Sequence, residues 1–401
     1  MRTWSLKARL VVPVVSPPIV GGVIDIAGER IVGVRSGGYA DVDLGDAAVV
    51  PGLVNAHTHL DLSDCIQPLP VDGGFADWIG SVIRHRRRSD ADPVSAVKLG
   101  IAELMDTATT LVGDISADSA SDELLEHAPI DAVVYREVIG VNDGRAESSW
   151  NDFARWLAAR TTKARILAGV SPHAPYSTHL ELMSRTGASG LPSQIHFAET
   201  PEELLFLKER SGPLAEMLAN LGVGETSGLA TSFNEILARM PGVTLAHANS
   251  VSEGFLIAHS SHPLVHCPAT HTWFGRSPFP LARLLASGMI VGLGTDSRAS
   301  SPEINIGQHL GPLLDTDRDL SPAEVLACGT RHGAKALGQE RDHGAIAPGM
   351  LANLAVVSHS EKGVSALEGV IWNLGHPLGV LWRGEWRKIN RLANASVTWH
   401  D

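Results

Sequence analysis

Eight short runs of β-branched and other apolar residues recur along the middle of the chain, each followed by a longer, more polar stretch. They fall at 49–55, 109–115, 132–139, 165–170, 193–197, 243–246, 264–267 and 290–294. Near-continuous apolar runs suit strands buried on both faces, the mark of parallel sheet. Residues 94–105 and 202–208 show the clearest amphipathic helical pattern between them. Eight strand–helix units over roughly 250–290 residues predict an α/β chain of the (β/α)8 TIM-barrel kind. An open doubly wound sheet is the alternative. It usually carries a glycine-rich dinucleotide turn after its first strand, and Val54-Asn55-Ala56-His57 offers none.

The flanks read differently. Residues 1–47 hold short strand-like runs with turn signals at Gly21-Gly22 and Gly37-Gly38, and the chain beyond Gly344 is similar, with strands expected at 354–357 and 380–388. We therefore expect both ends, 1–49 and 344–401, to pair into one small β-sandwich beside a barrel spanning 50–343. Hydrophobic residues at 44% supply a large core, and a net charge of −12 argues against sequence-independent nucleic-acid binding, which needs many Lys and Arg contacts to phosphate. Cys65, Cys267 and Cys328 are too few for a disulfide framework and fit a reducing compartment. The apolar start, 10–24, is broken by Pro13, Pro17 and Pro18, so it reads as edge strands rather than a signal peptide. No run approaches a membrane span. A cytoplasmic protein acting on a small molecule is expected, with no nucleic-acid or membrane partner; a homo-oligomer stays open.

The chemistry-bearing residues gather at strand ends. Among the 18 histidines, His57 and His59 stand two apart at the end of the first strand, a spacing that points both rings to one side. In a barrel that end opens onto the active-site face, where two imidazoles can share a divalent metal. The plainer reading is a pair of satisfied barrel-mouth histidines. Strand five ends at His196, strand six at His247, strand eight at Gly294-Thr295-Asp296-Ser297, and strand four adds His173. A carboxylate at a buried strand end needs a cation, because burying an unpaired charge is expensive.

His57-Thr58-His59 behind residues 51–56, together with His196, His247 and Asp296, resembles the amidohydrolase superfamily, in its chlorohydrolase and nucleoside-deaminase branch. The resemblance runs along nearly the whole chain. It implies one divalent ion, zinc first with iron(II) or manganese(II) as alternatives, bound by His57, His59, His196 and Asp296. A second metal would need a carboxylated lysine on strand four, where this chain has His173. It further implies Asp296 as general base, His247 as the group that orients the nucleophile, and Glu199 as the proton shuttle of ring deamination. Residues 136–140, 171–177 and 196–203 look like those of aminodeoxyfutalosine deaminases and of S-adenosylhomocysteine and adenosine deaminases. Hydrolytic deamination of an adenosine-like nucleoside, with release of ammonia, is the implied activity.

His173, Arg136, Trp78 and His271 are the candidate substrate contacts, with Arg136 able to hold a carboxylate bidentately. Each has a plainer role: a turn residue between Pro172 and Pro175 for His173, a paired arginine for Arg136, core packing for Trp78. Glu199 could simply be a carboxylate at a helix N-terminus, and Arg84-His85-Arg86-Arg87-Arg88 a solvated helix face. Two positions depart from the family pattern, Asp61 where Glu is common and Asn353 where Asp is usual. A chlorohydrolase, or a cyclic-amide or free-base (guanine, cytosine) hydrolase, would use the same centre. An inactive scaffold is the non-enzymatic alternative, and no expected ligand is missing. A cytidine-deaminase-type zinc site is disfavoured, since no H-x-E followed by P-C-x-x-C occurs.

Overall fold

The computed structural model describes residues 3–118, 120–160, 164–359, 365–389 and 398–399. The apolar runs are strands: β1 (Leu53–His59), β2 (Thr109–Ser116), β3 (Asp131–Val138), β4 (Ile166–Pro172), β5 (Gln194–Phe197), β6 (Thr244–His247), β7 (Leu264–His266) and β8 (Val291–Leu293). The two clearest helical stretches are Pro93–Met105 and Pro201–Glu209, both with proline in the first turn, where its missing N–H costs nothing.

All neighbouring strands of this set are parallel. β4, β3, β2 and β1 form one sheet, extended by the two-residue strand Asp296–Ser297 beside Thr58 and His59. β5 to β8 form a second. An isolated bridge, Val170 to Ser193, joins β4 to the start of β5. The architecture is therefore mixed α/β of the barrel type, although its strand ladder is two sheets rather than one continuous ring. Val54, Leu111, Val133, Tyr135 and Val265 pack together with Ala334, Ala336 and Leu337. Thr244, the first residue of β6, donates to Ala336 O at 2.7 Å, so the helix Gly333–Ala336 lies at the N-terminal ends of the strands and leaves the C-terminal ends for chemistry.

The first apolar run divides. Ala47–Pro51 leaves it and pairs antiparallel with Leu354–Ser358, so both halves of the chain share a six-stranded flanking sheet. A second flanking sheet contains Thr3–Lys7, Val23–Ala27 and Arg30–Arg35. One buried cluster spans the two, with Leu6, Ile24 and Ile26 against Val49, Leu354 and Val356. The single strand expected at 380–388 is a hairpin, Gly379–Trp382 and Glu385–Ile389, turned at Arg383 (φ 51°) and Gly384 (φ 77°). Residues 1–2, 360–364, 390–397 and 400–401 of the expected end domain lie outside the described residues. Asn353 has a structural reason to be an amide. Its nitrogen donates to Asp131 Oδ2 at 3.2 Å, where an aspartate would oppose a second carboxylate. Among the described residues no helix is long and apolar enough to cross a membrane, and the three cysteines are buried and free.

Candidate metal centre and active site

Two backbone irregularities build the site. β1 shifts register against β2 between Asn55 and Thr58, and a bulge of this kind re-aims side chains. Val54 belongs to the inward cluster below it; His57 and His59 gather above it with His196, at ring-centroid separations of 4.9–5.2 Å. The other irregularity is left-handed backbone at His247 (φ 70°) and Asp296 (φ 59°). His247 pairs in register with Phe197, which packs outward against Phe233. Plain alternation would send His247 outward too, yet its ring centroid lies 5.2 Å from that of His57. Such backbone costs on the order of 1–3 kcal/mol per residue and clusters at functional sites.

The donor atoms converge. His59 Nε2 lies 3.1 Å from His196 Nε2, and Asp296 Oδ1 lies 3.5 Å from His59 Nε2 and 3.8 Å from His57 Nε2. Hydrogen bonds settle two tautomers. The Gln194 amide nitrogen donates to Ala56 O at 3.1 Å, so its oxygen is the end that meets His57 Nδ1. His57 therefore carries its proton on Nδ1. His196 Nδ1 donates to His173 O at 2.8 Å. Both Nε2 atoms thus present lone pairs, and burial holds the pKa of His57, His59 and His196 below the ordinary histidine value, keeping the rings neutral. His57 Nε2 has no hydrogen-bond partner although it is buried. Buried neutral lone pairs and a carboxylate oxygen brought this close repel one another unless a cation lies between them, and three imidazoles with one carboxylate suit a divalent transition metal.

Gln194 fixes the His57 ring through Nδ1, on the side away from the converging Nε2 atoms. Gln194→Ala is expected to weaken metal binding about 10- to 100-fold, measured by competition with a chromogenic chelator.

Asp296 is held by Ser297 N at 2.8 Å and Ser300 Oγ at 3.0 Å. Glu199 Oε2 stands 3.7 Å from His247 Nε2. Burial raises the Glu199 pKa to about 7, with Arg276 opposing the rise, so this carboxyl exchanges a proton near neutrality. Glu203, one turn on, accepts from Ala198 N at 2.7 Å, and burial lifts its pKa to about 8. A carboxyl raised in the folded state favours folding below its unfolded pKa of about 4.5, and that contribution is lost as pH rises to about 8. Glu203→Gln, which keeps a carbonyl acceptor for Ala198, should accordingly gain in Tm over the native chain as pH climbs from 5 to 9. A pH-independent difference in thermal unfolding would contradict this.

The remaining candidates divide. His173 joins the site: its ring centroid is 5.1 Å from that of His196, Nδ1 meets Ser177 Oγ at 2.6 Å and Nε2 lies 4.0 Å from Glu137 Oε1. Trp78 packs in an aromatic cluster with Phe75 and Phe274, and its Nε1 donates to Ala299 O at 3.2 Å. Tyr176 links that cluster to His173, at 5.7 Å between centroids. Arg136 is not brought to the histidines. Alternation along β3 puts it on the face of Val134, which packs against Val97 and Leu104. Its neighbour Glu137 turns inward instead, a residue that the parity of Tyr135 would have indicated. His271 has both nitrogens engaged, Nε2 with Ser277 O at 2.6 Å and Nδ1 with the Asn249 side chain at 3.1 Å, so it is a framework group. The 84–88 run is only partly a solvated face: Arg86 pairs with Asp61 at 2.8 Å and Arg88 with Asp64, while Arg84 and Arg87 are exposed.

A family model described as "Amidohydrolase family" matches residues 48–384. The chain is a member of the amidohydrolase family. As an amidohydrolase it is similar to 5-methylthioadenosine/S-adenosylhomocysteine deaminase of Moorella thermoacetica, 27% identical over 379 residues, covering 88% of this chain and 85% of the relative. Aminofutalosine deaminase of Helicobacter pylori, solved in complex with methylthio-coformycin, matches with a TM-score of 0.82 at 20% identity, over 96% of this chain and 99% of that one. Atrazine chlorohydrolase of Arthrobacter aurescens, solved with zinc, matches with a TM-score of 0.79 at 19% identity, over 96% and 95%. Members of the amidohydrolase family with these structures share the (β/α)8-barrel type of fold.

Proposed function

We propose that this amidohydrolase removes the amino group of an adenosine-like nucleoside by hydrolysis, releasing ammonia. One observation carries the reading: Glu199, a buried carboxyl whose pKa burial raises to about 7, stands beside His247 at the rim of the His57–His59–His196–Asp296 cluster. Those four residues would hold one divalent ion, zinc in the first place and iron(II) or manganese(II) as alternatives. Bound there, it supplies Lewis acidity and makes water a competent nucleophile near neutral pH. Asp296 accepts the proton of the attacking water. His247 hydrogen-bonds the attacking oxygen and directs it at the ring carbon that bears the amine. Glu199 protonates the adjacent ring nitrogen, so the ring is spared a full negative charge; it then relays to the departing amine the proton that Asp296 took from water, and recovers its own proton from the hydroxyl added at the ring carbon. His173 and the aromatic cluster of Phe75, Trp78, Tyr176 and Phe274 form the neighbouring wall.

The names of the relatives support an adenine nucleoside. A carboxylate held by Arg136 is not part of the reading, because Arg136 lies on the opposite face of β3 from Glu137. The same reading takes the parallel strands as a closed barrel over 50–343, the two flanking sheets as a β-sandwich of 1–49 and 344–401, and the cytoplasm as the compartment. The test is ammonia release by zinc-loaded enzyme from adenosine, 5′-methylthioadenosine, S-adenosylhomocysteine and aminodeoxyfutalosine, with guanine, cytosine and a chlorotriazine alongside. Ammonia from one or more adenine nucleosides is expected. Chloride release from the triazine with no ammonia from any nucleoside would overturn the reading.

A further inference from the structure

Glu199 needs more than burial to work as a shuttle, since a carboxyl free to rotate in a pocket presents either oxygen to either neighbour. In this chain the two oxygens are assigned. Oε2 faces His247 Nε2 at 3.7 Å, and Oε1 is met by Arg276 Nη2 at 3.4 Å. Arg276 comes from the loop after β7, and its guanidinium lies 4.6 Å over the Phe274 ring, an attractive cation–π contact.

The other side of that guanidinium is fixed by a chain of hydrogen bonds whose directions can be worked out. His271 Nε2 lies 2.6 Å from Ser277 O, a carbonyl that can only accept, so Nε2 carries the ring proton. With the ring neutral, Nδ1 is then an acceptor, and the Asn249 atom 3.1 Å away must be the amide nitrogen. That orientation turns the Asn249 carbonyl to Arg276 Nη1, 2.5 Å away. Arg276 is therefore the donor at the head of two branches: Nη1 gives to Asn249, which gives to His271, which gives to Ser277 O, while Nη2 gives to a single oxygen of Glu199.

We propose that Arg276 is a positioning residue for Glu199: it pins Oε1 and leaves Oε2 as the oxygen that moves protons, with His271 and Asn249 setting its aim. The inference rests on the deaminase reading above. His247, Arg276, Glu203, Asp296 and Tyr176 are the groups around the Glu199 carboxyl.

Arg276→Ala and Arg276→Lys decide it, on zinc-loaded enzyme with whichever adenine nucleoside the native chain turns over best. For Arg276→Ala we expect kcat to fall about tenfold or more, at the low end of what acid–base help is worth, with unchanged zinc content and KM within about threefold. Guanidinium ion at non-denaturing concentration should restore part of the lost kcat in Arg276→Ala and none in Glu199→Gln. Arg276→Lys, which keeps a cation but loses the planar fork, should fall between the native chain and Arg276→Ala. A crystal structure of Arg276→Ala should show the Glu199 carboxyl rotated or split between orientations. Native kcat in Arg276→Ala overturns the inference, and so does a loss that guanidinium does not rescue with Glu199 left in place. Absence of turnover by the native chain would fail the functional reading instead; the Glu199 orientation in the crystal would still decide this one.

Discussion

Glu199→Gln is expected to keep a full complement of metal and to lose about 10²–10⁴ in kcat. Glutamine has nearly the same shape and can still accept from Arg276, so the pocket should close around it unchanged. It lacks an acidic proton, and neither neighbouring imidazole supplies one: His247 and His173 are both held neutral by burial, the latter with its pKa pushed down to about 3. Ammonia release in single turnover, measured beside zinc stoichiometry, separates the outcomes. Loss of metal would show that Glu199 coordinates the ion, and a native rate would remove it from the mechanism.

His59→Ala should have the opposite signature, with metal and activity lost together. The substitution deletes one of four donors and leaves the Asp296 carboxylate, buried at 3% exposure, with one fewer partner. Losing a neutral donor weakens the hold on the cation, and a site without its cation leaves the Asp296 carboxylate as an uncompensated buried charge. We expect no measurable zinc after dialysis and at least a roughly 10²-fold loss of activity, in line with the role of the ion in supplying the nucleophile. Thermal unfolding gives a second readout. Ligand at 100 times its Kd adds about 2.7 kcal/mol to native stability, so zinc should raise Tm of the metal-free native chain and leave that of His59→Ala unmoved. A zinc response of native size in the variant would exclude His59 from the ligand set.

How far such a centre can be read from residues alone depends on which force fixes each one. The eight strands were legible because burial on both faces demands apolar runs, and His57 with His59 because a two-residue spacing keeps one face. His196 follows from the same alternation through Gln194. His247 and Asp296 could be placed at strand ends, but their left-handed backbone could not: His and Asp enter that region more often than most residues, yet only a few per cent of non-glycine residues do so at all. At 136–137 the sequence offers two adjacent charged residues, and the sign of the charge drew attention to Arg136. The geometry of the strand favours Glu137. Arg276 had no periodic signal at all, since a loop side chain is aimed by its hydrogen bonds. The division of residues 49–55 between two sheets was likewise hidden, because both segments are apolar and the break at Gly52 is one residue long.

The pairing of Ala47–Pro51 with Leu354–Ser358 ties the stretch just before β1 to a segment about three hundred residues further on. A ribosome moving at about 5–20 residues per second delivers the second partner roughly 15 s to a minute after the first. Over that interval the segment leading into His57 and His59 has an open edge, and the histidines stand within reach of any free metal before the strand beneath them is secured. Nascent chains arrested before residue 354 should therefore be more sensitive to proteolysis near residue 50 than the released protein. The strand leading into His57 and His59 would then be secured on this edge only once residues 354–358 have been made.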